Sequence, residues 1–439
     1  MAYIITSYNY YQEVIFIYDD LNEIVSVLLN VKRSDIELIN CVDNNMYITL
    51  KKKDLYCPKC NKRLNLNGYF NREVIIPNKA FEGMNIHLKA RRYRCYRCEV
   101  NISDINHMSP VNKKISYASI RNIMELLKSP KMTFKEVSNI LNIPLTSVIR
   151  VFDNHCHIPR KTLPEVLCID EVYTKNSDYK SKYSCIFYNF EKHNVVDVLP
   201  SRKKDYLHYY MKYIPSEERN NVKYVCIDMY ETYRSIAKHY FKKAIICVDS
   251  FHVVKHLNDD LNKLRIRYMK LYSDNPASNE YYLLNKFRFL LLDRNIKLDG
   301  ERKLNRKLGM YLNYGDILEL ILSINNEIRI AYELKEEYII FNSKMNIDEA
   351  KDNYDTLLND FISADIYEYK EFIILLKNWR QEIINSFTTI KGKRINNGIA
   401  ESINQNVATI IYNTKGIRNN TRRRKRIMYS INKDGFNLY

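Results

Sequence analysis

Two groups of residues in this chain have the types and spacing for metal chemistry. The first is Cys57-Pro-Lys-Cys60 and Cys95-Tyr-Arg-Cys98, two CxxC pairs 34 residues apart. Four thiolates presented from two tight turns suit tetrahedral Zn2+, and a site closed by four sulfurs is structural. Two disulfides or four unconnected thiols are the alternatives. The other cysteines, Cys41, Cys156, Cys168, Cys185, Cys226 and Cys247, are scattered, several inside apolar runs, which favours a reducing cytoplasm. The second group is carboxylates. Asp170, Asp228 and Asp249 each close a short apolar run, EVLCID, VKYVCID and AIICVD. Singly, such an aspartate is usually a cap or turn residue. Together, carboxylates at one sheet edge can share a divalent cation, and phosphoryl transfer by two metals needs another acid to complete the cage, for which Glu401 on a late helix is the candidate.

The acids need elements to hold them. Glu165–Asp170, Tyr183–Tyr188, Asn194–Leu199, Val222–Asp228 and Ala244–Asp249 read as strands, and Lys203–Tyr213 and Glu231–Tyr240 as helices. Three strands able to pair as a meander, then two joined by helical crossovers, predict a mixed sheet of the ribonuclease H-like kind. In that order the first and fourth strands are neighbours, which brings Asp170 and Asp228 together, with Asp249 one strand further out in a supporting place. Residues 253–392 turn almost wholly helical, with long runs such as Ile317–Leu334 and Tyr367–Phe387, and a short helix Ile399–Tyr412 precedes a basic tail.

Thr133–Asn154 has the pattern of a helix-turn-helix. Val137, Ile140 and Leu141 make one helical face, Asn142-Ile143-Pro144 break it, and Val148, Val151 and Phe152 make another. Thr146, Ser147 and Arg150 on the second helix would then face DNA; an ordinary helical hairpin is the alternative. Between the CxxC pairs, Met84–Arg94 reads as a strand on which His87, Lys89 and Arg91 share a face, placing Lys89 and Arg91 for phosphates.

The expected organisation is α/β: a segment 1–50 of no assigned role, a four-cysteine zinc-binding module at 51–110, a helix-turn-helix at 111–160, and a catalytic domain at 161–439 with a helical insertion at about 255–392. Charge agrees with a polyanionic partner. The 69 Lys+Arg against 51 Asp+Glu give +18. Residues 51–98 supply +10 of this, 415–439 supply +7, and the remainder +1. DNA would therefore be gripped by the zinc module and by a tail that includes Arg422, Arg423, Arg424 and Arg426. With only 9 glycines and neither GxxxxGK[ST] nor GxGxxG, P-loop and Rossmann readings are disfavoured. No stretch approaches 18 consecutive apolar residues, and the first residues lack a basic region leading into an apolar one, so neither a membrane span nor a secretory signal is expected.

The segments Val225–Tyr233 (VCIDMYETY), Ala244–Val254 (AIICVDSFHVV) and Asn397–Asn404 (NGIAESIN) resemble blocks of the DDE transposases of bacterial insertion sequences, most closely the family labelled ISL-three. The order of a four-cysteine module, a helix-turn-helix and a domain opening near LCIDEV is similar too. The resemblance implies a Mg2+-dependent enzyme that cuts at transposon ends and joins the free 3′-OH to target DNA. Asp170, Asp228 and Glu401 would be its metal-binding triad, and Asp249, His252 and Asn404 would stand beside it. It further implies terminal inverted repeats as the bound DNA and at least a dimer when two ends are paired. The chain departs from the family after Glu401, with Ser402 in place of the usual glycine and Ala408, Ile411 and Tyr412 where basic residues are usual. That departure is what a non-catalytic DNA-binding regulator derived from a decayed transposase would show. A ribonuclease H-like junction nuclease is the enzymatic rival.

Overall fold

The computed structural model describes residues 26, 32–43, 45–75, 85–103, 109–110, 114–176, 179–293, 295–396, 398–413 and 419–436, with the side chains of 85, 175, 176 and 399–401 outside the described set. Two compact units emerge: residues 1–159 with 409–439, and residues 160–408. Among the described residues, no helix is long and apolar enough to cross a membrane.

In the first unit, strands β1 (Ile36–Val42) and β2 (Asn45–Leu50) form an antiparallel hairpin, and β2 runs parallel to β4 (Asn85–Cys95). Strands β3 (Asn65–Val74) and β5 (Val100–Ser103) pair antiparallel with β4. One face buries Ile39, Met46, Ile48, Val74, Ile86 and Leu88. The expected strand between the cysteine pairs is thus present, and it is the central one.

Three helices follow, Tyr117–Leu126, Phe134–Leu141 and Leu145–His155. The second starts with a capping box between Thr133 and Glu136 and ends on Asn142, left-handed at φ 50°. Asparagine tolerates that conformation, and Pro144 then opens the third helix with its missing N–H at no cost. Val137, Val148, Val151 and Phe152 are buried as the periodicity requires, but Ile140 is 45% exposed. The buried stripe of that helix runs through Phe134, Val137 and Ser138 to the half-buried Leu141, and Ile140 lies off it.

The basic tail is a helix, Asn420–Asn432, and belongs to this helical group. Ile427, Met428 and Tyr429 are buried, with Tyr429 edge-on to Phe152 and its hydroxyl donating to the Met124 carbonyl at 3.0 Å. The segment 409–439, expected within the catalytic domain, therefore packs in the first unit. Gly435 makes the return possible: its φ is +87°, and a Cβ there would meet Ile158 Cγ1 at 2.3 Å.

The second unit is built on a five-stranded mixed sheet. Strands β6 (Val166–Asn176), β7 (Ser181–Asn189) and β8 (Asn194–Leu199) form an antiparallel meander. Strand β9 (Tyr224–Ile227) lies parallel to β6, and β10 (Ile245–Val248) parallel to β9. Helices Lys204–Lys212 and Glu231–Tyr240 provide the crossovers. The run from Ser250 to Asn385 is largely helical. Two expected long helices are broken: one divides into Tyr314–Leu322 and Asn326–Lys344, where Asn325 caps the second piece, and the other into Lys370–Asn378 and Arg380–Asn385 at Trp379. The last piece guards the open edge of the sheet, with Asn385 Nδ2 donating to the Ile246 carbonyl at 2.9 Å.

Candidate active site

Register places the acids. Cys168 pairs with Cys226 across β6 and β9, so Asp170 and Asp228 each lie two residues beyond a paired position. Ile227 pairs with Val248 across β9 and β10, so Asp228 and Asp249 each lie one beyond. Three aspartates on three adjacent strands thus form one row at the same end of the sheet, with strands about 4.8 Å apart.

Each aspartate is held. Asp170, 7% exposed, accepts at Oδ1 from the Glu171 N–H and at Oδ2 from Asn404 Nδ2, both at 2.7 Å. Asp228 Oδ1 accepts from the Tyr230 N–H at 3.0 Å. Asp249 caps the helix Ser250–Leu271, and its Oδ2 lies 3.8 Å from His252 Nε2. Burial pushes the Asp170 carboxyl above its ordinary range, against the N–H of Glu171 and the attraction of His252. Burial, then the charge of Glu171, pushes Asp228 up to about 6. Crowded, desolvated carboxylates of this kind favour a cation among them. Their hard oxygen donors fit Mg2+ or Mn2+.

Asn404 sits on the helix Gly398–Asn413, and its amide is oriented from behind. The buried Tyr188 hydroxyl donates to Asn404 Oδ1, which turns Nδ2 toward Asp170. Asn404→Ala is expected to weaken Mn2+ binding about 10–100-fold, and Tyr188→Phe by less, since partners that orient a ligand carry effects of that size. Electron paramagnetic resonance titration of free Mn2+ reads both. Glu401 lies on the same helix, and its side chain is outside the described residues. Two features missed from the sequence adjoin the row. Glu171 is ion-paired with Arg202, whose guanidinium lies 4.3 Å from the Tyr183 ring and 4.7 Å from that of Tyr230. Tyr188 is the other; its contact spans 216 residues, beyond any local signal.

The cysteines converge. The sulfurs of Cys57, Cys60, Cys95 and Cys98 lie within 4.8 Å of one another, and this group could hold a metal ion. Each knuckle turns on a left-handed residue straight after its second cysteine, Asn61 (φ 53°) and Glu99 (φ 54°). Without a cation the thiols differ: desolvation opposes the Cys57 thiolate, but the N–H groups of Lys59 and Cys60 together with the Cys95 and Cys60 thiols bring Cys57 down to about 7. Cys98 is pushed up to about 12, chiefly by its contact with Cys60. Four adjacent thiols that cannot all ionise alone fit a site completed by a thiophilic cation.

The residues expected to touch DNA fall into two sets. Thr146 and Arg150 are exposed on the helix Leu145–His155, Ser147 is half-buried there, and Lys89 is exposed on β4. Arg91 is a correction: it is 5% exposed and donates to the Leu50 carbonyl and to Glu37, tying β4 to the end of β2. Arg426 is another. It is fully buried, and it donates to the carbonyls of Leu127, Ser129 and Met132 at 2.7–2.9 Å, with burial lowering it to about 10. Arg422 is paired with Asp153, Arg424 donates to the Ile158 carbonyl, and Arg423 is half-buried. The arginine run thus mainly fastens its own helix. Arg426→Met should take a donor from each of three carbonyls, of which Leu127 keeps Ser430 Oγ and Ser129 keeps the Met132 N–H, and cost about 3 kcal/mol, read as a lowered thermal midpoint.

Compared with known proteins, the chain matches a family model described as transposase, that of the ISL-three DDE group, over residues 167–427. That span runs from the start of β6 into the helix Asn420–Asn432 and covers the acid row, Asn404 and Glu401. No match was found among curated proteins.

Proposed function

The chain belongs to the ISL-three family of DDE transposases, and from this we propose that it binds the terminal inverted repeats of an insertion sequence and catalyses metal-dependent strand cleavage and strand transfer. The observation that carries the proposal is the row of Asp170, Asp228 and Asp249 across three adjacent strands of the mixed sheet, which we read as ribonuclease H-like. Asp170, Asp228 and Glu401 would hold Mg2+ or Mn2+, with Asp249 and His252 supporting. Bound there, the ions would supply activation of water or a 3′-OH and neutralise the leaving oxygen. The chain's own part is orientation. Asn404 and the Glu171 N–H fix the plane of Asp170, leaving its remaining lone pairs for a cation. Arg202 holds Glu171 in an ion pair at the row's edge, limiting the negative charge felt by Asp228.

Zn2+ at Cys57, Cys60, Cys95 and Cys98 would be structural, and Thr146, Ser147, Arg150 and Lys89 would contact the repeats. Two chains would pair two ends. The test is cleavage of duplexes bearing the ends that flank the coding region, with purified chain and Mg2+, beside Asp170→Asn. Mg2+-dependent nicking by the parent and its loss in the variant is the expected result. Tight binding of the ends by a parent that never cuts them would leave a DNA-binding regulator instead.

A further inference from the structure

The helical part of the second unit has a concave surface of its own. A cavity of about 860 Å3 opens between the helix Asn279–Lys286, the hairpin Lys303–Asn305/Met310–Leu312 and the start of the helix Tyr314–Leu322. Among the described residues lining it, five are cationic, Lys286, Lys297, Lys303, Arg306 and Lys307, and only Glu301 is acidic. Lys297, Lys303 and Arg306 are exposed, and among the described residues none has a carboxylate partner. Neighbouring Arg302 differs: it is tied to both oxygens of Asp316 at 2.7 and 2.9 Å. Ring faces complete the wall. Lys286 Nζ lies 5.2 Å from the Tyr282 ring and 5.7 Å from that of Phe287, and Tyr314 is 44% exposed at the rim.

Unpaired cations around a cavity repel one another and need anions, here several at once. A single phosphate would satisfy one or two and make no use of the rings. A polymer carrying a charge on every unit, with flat apolar groups between, matches both features. We propose that this pocket is a docking site for a DNA strand, its phosphates against Lys297, Lys303 and Arg306 and its sugars or bases against Tyr314. The choice of DNA rests on the transposase reading. The site differs from the zinc module, the helix-turn-helix and the acid row, and it gives the helical insertion a substrate-holding task.

The test is binding, so its failure is separable from a failure of catalysis. Full-length chain and the charge reversal Lys303→Glu/Arg306→Glu are titrated by fluorescence anisotropy, on a random-sequence duplex of about 30 base pairs and on an oligothymidine of about 20 nucleotides. The double variant is expected to lose at least about tenfold in affinity at 0.1 M salt on one or both probes. It should also flatten the salt dependence by about two phosphate contacts. Lys370→Glu/Lys377→Glu places the same charge change on exposed lysines elsewhere and should cost less than about twofold. The neutral pair Lys303→Gln/Arg306→Gln guards against a hairpin disturbed by new acids and should show a smaller loss in the same direction. Affinities on both probes equal to those of the Lys370/Lys377 control overturn the proposal. So does a salt dependence in the Lys303/Arg306 variant as steep as the parent's, because the lost affinity then has no phosphate contact behind it.

Discussion

Asp228→Asn is expected to abolish cleavage and, without divalent cations, to make the protein more stable. The two effects have one cause. In the folded chain the Asp228 carboxyl is held at about 6 by burial and by the Glu171 charge, against an ordinary value of 3.8. A carboxyl whose folded value is raised holds its proton longer in the folded state. Its contribution is fully present below the unfolded value and is lost as pH rises through the folded one. The cation-free protein should therefore weaken between about pH 4 and pH 6, by roughly 2–3 kcal/mol for a shift of this size. The amide that replaces the carboxylate carries no charge to be desolvated, so the variant should melt higher than the parent at pH 7.5 and no higher at pH 4.5. Mg2+ should raise the parent's midpoint by relieving the same repulsion, and should move the variant's little. Cleavage should fall at least about 10³-fold, because electrostatic positioning at a metal centre contributes on that scale. Scanning calorimetry at the two pH values, with and without Mg2+, reads the first effect, and end-nicking assays the second. A variant that nicks as well as the parent removes Asp228 from the site; one that melts lower at pH 7.5 removes the crowded-carboxylate account.

The acid row was legible because short apolar runs ending in aspartate carry two signals at once, a strand and its end. Strand order then followed from the alternation with helices, and the register of β6, β9 and β10 aligns the acids as that order requires. The cysteines were legible for a similar reason, since CxxC encodes a turn and two ligands together. What stayed hidden depends on distance or on sums. The contact from Tyr188 to Asn404 joins positions 216 residues apart. Arg422–Arg426 carries no apolar period of its own, so it read as a basic tail gripping DNA. The buried face begins at Arg426 and runs through Ile427, Met428 and Tyr429, and there an arginine serves as a multiple hydrogen-bond donor to open carbonyls. The cationic pocket was masked by arithmetic. Outside residues 51–98 and 415–439 the charge sums to +1, because acids elsewhere on the helices offset the hairpin's lysines. Charge summed along a chain says little about charge gathered at a surface.

Removing the metal from the four-cysteine group should unfold much of the first unit's sheet while leaving the second unit's transition in place. Cys95 is the last residue of β4, and β4 pairs with β2, β3 and β5. Cys57 and Cys60 stand just before β3, so a cation bridging the two knuckles would pin one end of the longest strand pair in that unit, where β3 begins and β4 finishes. The apolar material around the knuckles is slight: Leu64 and Tyr93 are the buried residues packed with Cys57 and Cys95. A cluster so small cannot hold four thiols together by burial alone, and the metal must supply what the core lacks. The purified chain is expected to carry one equivalent of zinc by plasma mass spectrometry. Cys95→Ser should lose it and lower the midpoint of the first unit's transition by more than about 10 °C, with the loss concentrated in strand signal. Amide exchange followed by mass spectrometry should show β3, β4 and β5 opening and the acid-bearing strands β6, β9 and β10 still protected. The DNA binding proposed for Thr146, Ser147, Arg150 and Lys89 should weaken with it, while a Mn2+ titration of the acid row stays unchanged. A chain that folds without zinc and tolerates Cys95→Ser with no change in exchange would leave the four thiols as a buried cluster with no metal role.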